Sequence, residues 1–190
     1  MSLYGFSLFL HVAAVLALFA CLSFEALSLF RLQRASTVAE ARLWVDPVPR
    51  MTLWTGGSAL VVLLSGIYLA IRMSAFGQAW IDLSIAALLL IAPLGALTGK
   101  RMRAIRKALA DATTMEAGLF SRLEDVFLRA SLGLRIAIFF GIVLLMAAKP
   151  ELLPSISMVA SSVFLGLLSP LVLWRRKALL PAPSTNPGKG

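Results

Sequence analysis

A single histidine, His11, sits inside a long apolar run, and it is the side chain in this sequence best suited to chemistry. An imidazole can ligate a metal, carry a proton or serve as a hydrogen-bonding group. Three methionines, Met73, Met146 and Met158, fall near the corresponding end of other apolar runs, and thioether with imidazole suits cuprous copper. The same histidine with one methionine would supply the axial ligands of a haem. Methionine is also an ordinary filler of apolar interiors, so each of these sites has a plain packing alternative. The cofactor is left open, with haem and copper the two that this ligand chemistry admits.

Three further ionisable residues, Glu25, Asp82 and Arg135, lie within apolar stretches. Charge inside a bilayer is costly and is usually paired, so depth suggests partners. With the first run crossing from outside to inside, Glu25 lies roughly 20 Å deeper than His11 at 1.5 Å per residue. Asp82 matches His11 in depth and Arg135 matches Glu25, which predicts two intramembrane pairs, His11 with Asp82 and Glu25 with Arg135. For Glu25 the structural reading is an ion pair that holds helices together; the functional one is a proton or cation relay. Ser7, His11, Ala14, Cys21, Glu25 and Ser28 share about a third of the helical circumference at ~100° per residue and mark the inward face of the first run.

The composition narrows the rest. The 190 residues are 59% hydrophobic and 14% charged, with a mean hydropathy of +0.89, far from a soluble domain. One cysteine, Cys21, excludes an intramolecular disulfide framework and a cysteine-only zinc site, and one histidine excludes bis-histidine ligation within the chain. The net charge of +9 comes from basic residues set between apolar runs rather than striped over a soluble domain, which argues against nucleic acid. There is no phosphate-cradling glycine motif followed by lysine and no nucleophile with its base, so no catalytic residue is assigned.

The elements that must position these groups are apolar helices. About 20 residues span the hydrocarbon core, and five runs qualify: Phe6–Leu29, Met51–Ile71, Trp80–Thr98, Leu132–Ala148 and Ser155–Trp174. Strands are excluded, because the runs do not alternate and an open sheet leaves its backbone unsatisfied in lipid. The first run is read as retained: it lacks a charged leader, and Glu25 interrupts it, although Leu18-Phe19-Ala20-Cys21 loosely resembles a lipoprotein cleavage site. Arginine and lysine concentrate in the first and third connections and in the tail, while the second and fourth carry only Arg72 and Lys149. The expected fold is therefore an all-α integral-membrane bundle of five transmembrane helices, N-terminus outside and C-terminus cytoplasmic. Residues 181–190 are expected to form a disordered tail.

Both basic connections are long enough for structure of their own. Thr37-x-x-Glu40 and Ser121-x-x-Glu124 have capping-box spacing. Leu119, Leu123, Val126 and Phe127 recur at helical spacing opposite Arg122, Asp125 and Arg129, as in an amphipathic helix that either lies against the cytoplasmic end of the bundle with a solvated charged face or offers a surface to a partner or lipid headgroups. Gly95-x-x-x-Gly99 and Gly133-x-x-x-Ala137-x-x-x-Gly141 set small residues one turn apart, predicting close helix packing within the bundle or between subunits.

Leu10-His11-Val12-Ala13, Ser65-Gly66-Ile67-Tyr68-Leu69-Ala70, Trp80 and Leu145-Met146-Ala147-Ala148-Lys149-Pro150 together look like a bacterial inner-membrane family of uncharacterised function, similar to the membrane domain of copper-resistance protein D. The resemblance covers residues 1–150 as a four-helix membrane domain and leaves 151–180 as an additional transmembrane helix. It implies a link to haem or copper handling. Broader relatives include the bacterial membrane protoporphyrinogen oxidase, whose first-helix histidine maps to His11. Its third-helix lysine has no counterpart here, since Asp82 is followed by no ionisable residue until Lys100. The expected function is a non-catalytic membrane interaction or assembly subunit, with a membrane or cytoplasmic protein as partner and the oligomeric state open. The alternatives are a haem-binding or haem-linked redox protein using His11, and a copper-handling or transport protein.

Overall fold

The computed structural model describes residues 2–112 and 125–178, with residues 170–178 described by backbone alone. Its elements are α1 (Leu3–Leu32), α2 (Val38–Val45), α3 (Val48–Arg72), α4 (Ala79–Asp111), α5 (Val126–Ala148) and α6 (Leu152–Ala178), with no strand among the described residues. Among the described residues five helices are long and apolar enough to cross a membrane, α2 being the short one that is not. Only 11% to 39% of each apolar window is buried inside the protein, so most of the apolar surface faces outward, as it must where the solvent is hydrocarbon.

Local chemistry accounts for the helix ends. The Ser2 hydroxyl accepts from the Gly5 amide at 3.2 Å and opens α1. Thr37 does the same for the Glu40 amide at 3.2 Å, while the Glu40 carboxylate accepts from the Ser36 amide, one residue before the position a standard capping box would use. Proline in the first turn suits the start of α3. Pro93 lies within α4, where it removes one backbone donor. Lys149, left-handed at φ 47°, ends α5 just before Pro150 and α6. Ser121, Glu124 and Leu119–Leu123 lie outside the described residues.

α1, α3, α4 and α5 form a four-helix ring: α1 packs on α3, α3 on α4, α4 on α5, and α5 back on α1 over a shorter seam. α6 is applied to the outside of this ring, against α5 and the edge of α4. The middle of the ring is closed by Ala14, Val62, Leu88, Ile91 and Ile138. The basic end is closed by a second apolar cluster in which α2 contributes Ala41 and Val45, α4 contributes Met102, Ile105 and Leu109, and α5 contributes Leu128. α4 runs 33 residues, well past the expected end at Thr98, because its continuation carries this apolar face under an otherwise charged surface.

The α5–α6 seam explains the small residues on α5. Gly133 faces Ser169 and Gly141 faces Ser162, so that stripe is used within one chain. The counterpart stripe on α6, Ser162, Gly166 and Ser169, was also present in the sequence. Gly166 is the least forgiving point: a Cβ there would stand 2.7 Å from the Leu134 Cα, a backbone atom that cannot turn aside as a serine side chain can. Gly95 and Gly99 serve different neighbours, Arg135 and Thr52 respectively.

Gly166→Leu should therefore open the α5–α6 seam and lower stability by about 1–3 kcal/mol, the usual cost of overpacking. Gly57→Leu, where an added Cβ meets nothing within 4 Å, should melt like the unaltered protein in the same detergent. Equal melting of the two variants would show that the seam is looser than these distances imply.

Candidate functional site

Arg135 is the most deeply enclosed charge among the described residues, 3% exposed. It projects from α5 into the ring, passes Gly95 of α4 and reaches Glu25 of α1. The guanidinium donates from Nη1 to Oε2 at 3.0 Å and from Nη2 to Oε1 at 2.5 Å, a two-pronged contact that fixes both planes. Both Glu25 oxygens are engaged, which holds the carboxylate as half of an ion pair. The Arg135 Nε–H has no acceptor among the described residues. One turn away on α5, Ser131 meets Thr98 of α4 hydroxyl to hydroxyl at 2.8 Å, and Thr98 also donates to the Leu94 carbonyl.

His11 belongs to a second station, between α1 and α3. Its Nδ1 lies 3.0 Å from the Ser65 hydroxyl. That hydroxyl stands 2.5 Å from the Val61 carbonyl, an acceptor with no proton of its own, so Ser65 donates there and accepts from His11. In the neutral imidazole this puts the proton on Nδ1 and leaves the Nε2 lone pair unused. Gly66 lets the ring lie against α3, since a Cβ there would approach His11 Cε1 to 3.2 Å.

Depth alone paired His11 with Asp82, and the structure corrects this. Asp82 is exposed in the first turn of α4 and forms no salt bridge among the described residues, while His11 is satisfied by Ser65. The physical reason is azimuth: α1 and α4 stand diagonally across the ring, with α3 and α5 between them. A carboxylate at a helix N-terminus is also stabilised where it is, by the exposed amides of the first turn.

The methionines separate for the same reason. Met146 and Met158 pack on the apolar cluster around Trp80 and Leu145, where α4, α5 and α6 meet, and Met73 is 47% exposed at the end of α3. α6 lies outside the ring on α5 and α4, away from the α1–α3 face that holds His11, so the four ligands named from depth do not surround one point. Among the described residues no group of three or more His, Cys, Asp or Glu is placed to hold a metal.

Sequence reasoning missed Arg42. From α2 its Nε and Nη2 donate to the Leu109 carbonyl at 2.9 and 2.7 Å, and Nη2 also reaches the carbonyls of Ala110 and Ala112. These are the carbonyls that a helix end leaves unpaired, so the guanidinium caps α4 and complements its dipole. Arg106 pairs with Asp46 at 2.9 Å and Arg101 pairs with Asp125, tying the same end together.

A cavity of about 360 Å³ reaches from the ring interior out between α3 and α4. Its walls are apolar except at the end nearer the basic face, where Glu25, Arg135, Thr52 and Thr55 line it. The arrangement offers a fixed ion pair beside an apolar trough, and a separate oriented imidazole.

Removing one charge strands the other in a low-dielectric interior. Arg135→Met alone or Glu25→Leu alone should each cost about 3–5 kcal/mol, and the double variant should recover most of the loss. Melting of all four proteins in one detergent closes the cycle; additive losses in the double variant would mean the two residues do not support each other. No protein-family model, curated protein or solved structure matches the chain.

Proposed function

We propose that this chain is a multi-pass protein of a bacterial inner membrane, N-terminus outside and C-terminus cytoplasmic, that acts by binding, as a non-catalytic interaction or assembly subunit. The observation that carries this reading is the way the intramembrane polar groups are spent. Glu25 with Arg135, His11 with Ser65, and Thr98 with Ser131 each close on a residue of another helix. They join the ring at separate places instead of converging on one reacting atom, as catalysis would need. The orientation is supported by the basic residues gathered at one end, where Arg31, Arg34, Arg50 and Lys107 are exposed. That end is the surface offered to a cytoplasmic or membrane partner.

A second reading, a haem-linked protein ligated by His11, is favoured by one specific feature. A histidine that donates Nδ1–H to a fixed acceptor presents Nε2 as a ligand, the usual outer-shell arrangement at metal-binding histidines. The resemblance to the copper-resistance-D membrane domain supports the same direction.

Protein purified without chelator from its own membranes separates the two. The first reading expects no Soret band, oxidised or dithionite-reduced, and recovery in mild detergent as a complex of fixed stoichiometry by native mass measurement. A Soret band that disappears in His11→Ala, in protein with unchanged melting, would replace it with the haem reading.

A further inference from the structure

We propose that the groove between α3 and α4 seats one acyl chain of an anionic phospholipid, with its ester region at the Glu25–Arg135 pair and its phosphate at Lys100 and Arg103. The two helices meet at both ends, through Thr52 against Gly99 at one and through Ala70 with Trp80 and Ile81 at the other. Between these contacts they leave the cavity of about 360 Å³. Its lips, Leu60 and Leu89, are each 55% exposed, so the trough opens sideways, in the direction from which a lipid would enter. From Thr52 to Leu63 it follows α3 for about 16 Å, the length of a lipid tail rather than of a small solute.

Three features identify the occupant. The walls along most of this length are apolar and accept a hydrocarbon chain. At the polar end, Arg135 lines the cavity at 3% exposure together with Glu25, Thr52 and Thr55. The adjoining ion pair is already neutral, so the oxygen that suits this polar end, beside Thr52 and Thr55, is an uncharged one; a second carboxylate would face Glu25 at short range. A glycerol-ester carbonyl meets that description. Beyond the polar end, Arg103 lies two turns past Ala96 on the same face of α4, and Lys100 flanks it. Both are exposed, and neither is in a salt bridge among the described residues. Two free cations in line with an apolar trough select an anionic headgroup over a zwitterionic one.

Gly56 permits a clean test, because an added Cβ there meets no protein atom within 4 Å although the residue lines the groove. Gly57, equally open, lines a different depression against α1 and serves as control. Delipidated full-length protein would be titrated with phosphatidylglycerol or phosphatidylethanolamine and the bound lipids counted by native mass spectrometry. The unaltered protein and Gly57→Phe should hold one phosphatidylglycerol on the order of tenfold more tightly than phosphatidylethanolamine, the preference expected from two nearby basic side chains. Gly56→Phe should lose that adduct, and Ala92→Phe on the α4 wall should do the same, so that failure of one variant to fold leaves the other to decide. Lys100→Ser with Arg103→Ser should keep an adduct but bind both lipids alike. An adduct undiminished in the groove-filling variants, or an anionic preference unchanged without the two cations, would overturn the proposal.

Discussion

A guanidinium and a carboxylate placed between helices in hydrocarbon have no water to fall back on, and the ring depends on how Arg135 and Glu25 meet that constraint. Their two-pronged contact requires α1 and α5 to stand at one relative height and rotation. This matters most where it occurs, because α1 leans chiefly on α3 and meets α5 over a shorter seam. From the ion pair, Phe19 lies six residues back along α1 and Phe139 four residues on along α5, and the antiparallel helices bring these rings together at 6.0 Å. The electrostatic contact and the aromatic one therefore enforce the same register. Either helix sliding by a turn would leave a charge unpaired in a medium that penalises it heavily.

The basic end solves a different problem with soluble-protein methods. α4 emerges with an apolar stripe, Met102, Ile105 and Leu109, that needs cover where lipid no longer supplies it. The short helix α2 provides the cover, and Arg42 from the same helix satisfies the carbonyls at the end of α4. Packing and backbone satisfaction thus come from adjacent residues, Ala41, Arg42 and Val45. Cation–π contacts of Arg31 with Trp44 and of Arg101 with Phe127 add to a surface that stays positively charged while its underside is dry.

What could be read from the sequence was whatever depends on position along a helix axis. Span centres follow from hydropathy, and Glu25 and Arg135 could be paired because both lie at one depth and nothing else at that depth is charged. Azimuth was not legible in the same way. His11 and Asp82 share a depth but stand on diagonal helices, and Met158 shares it from a helix outside the ring. Which helices neighbour each other is decided by summed packing, such as the serine and glycine seam of α6 against α5, and no local pattern encodes that sum. Arg42 escaped notice for a related reason: a basic residue in a basic connection looks like a topology signal until the end of α4 is found beneath it.

The two polar stations are held far apart along the bundle. Along α1, His11 and Glu25 are fourteen residues apart, about 21 Å at the helical rise. The layer between them is built from Ala14, Leu18, Val62, Leu88, Ile91 and Ile138, all buried and all apolar. That apolar layer keeps the two paired stations apart. Pairing at each level, with apolar packing between levels, is the arrangement of a scaffold whose polar groups hold helices in place. Arg135, whose Nε–H is unpaired among the described residues, borders a groove open to the side of the bundle and not a passage along its axis.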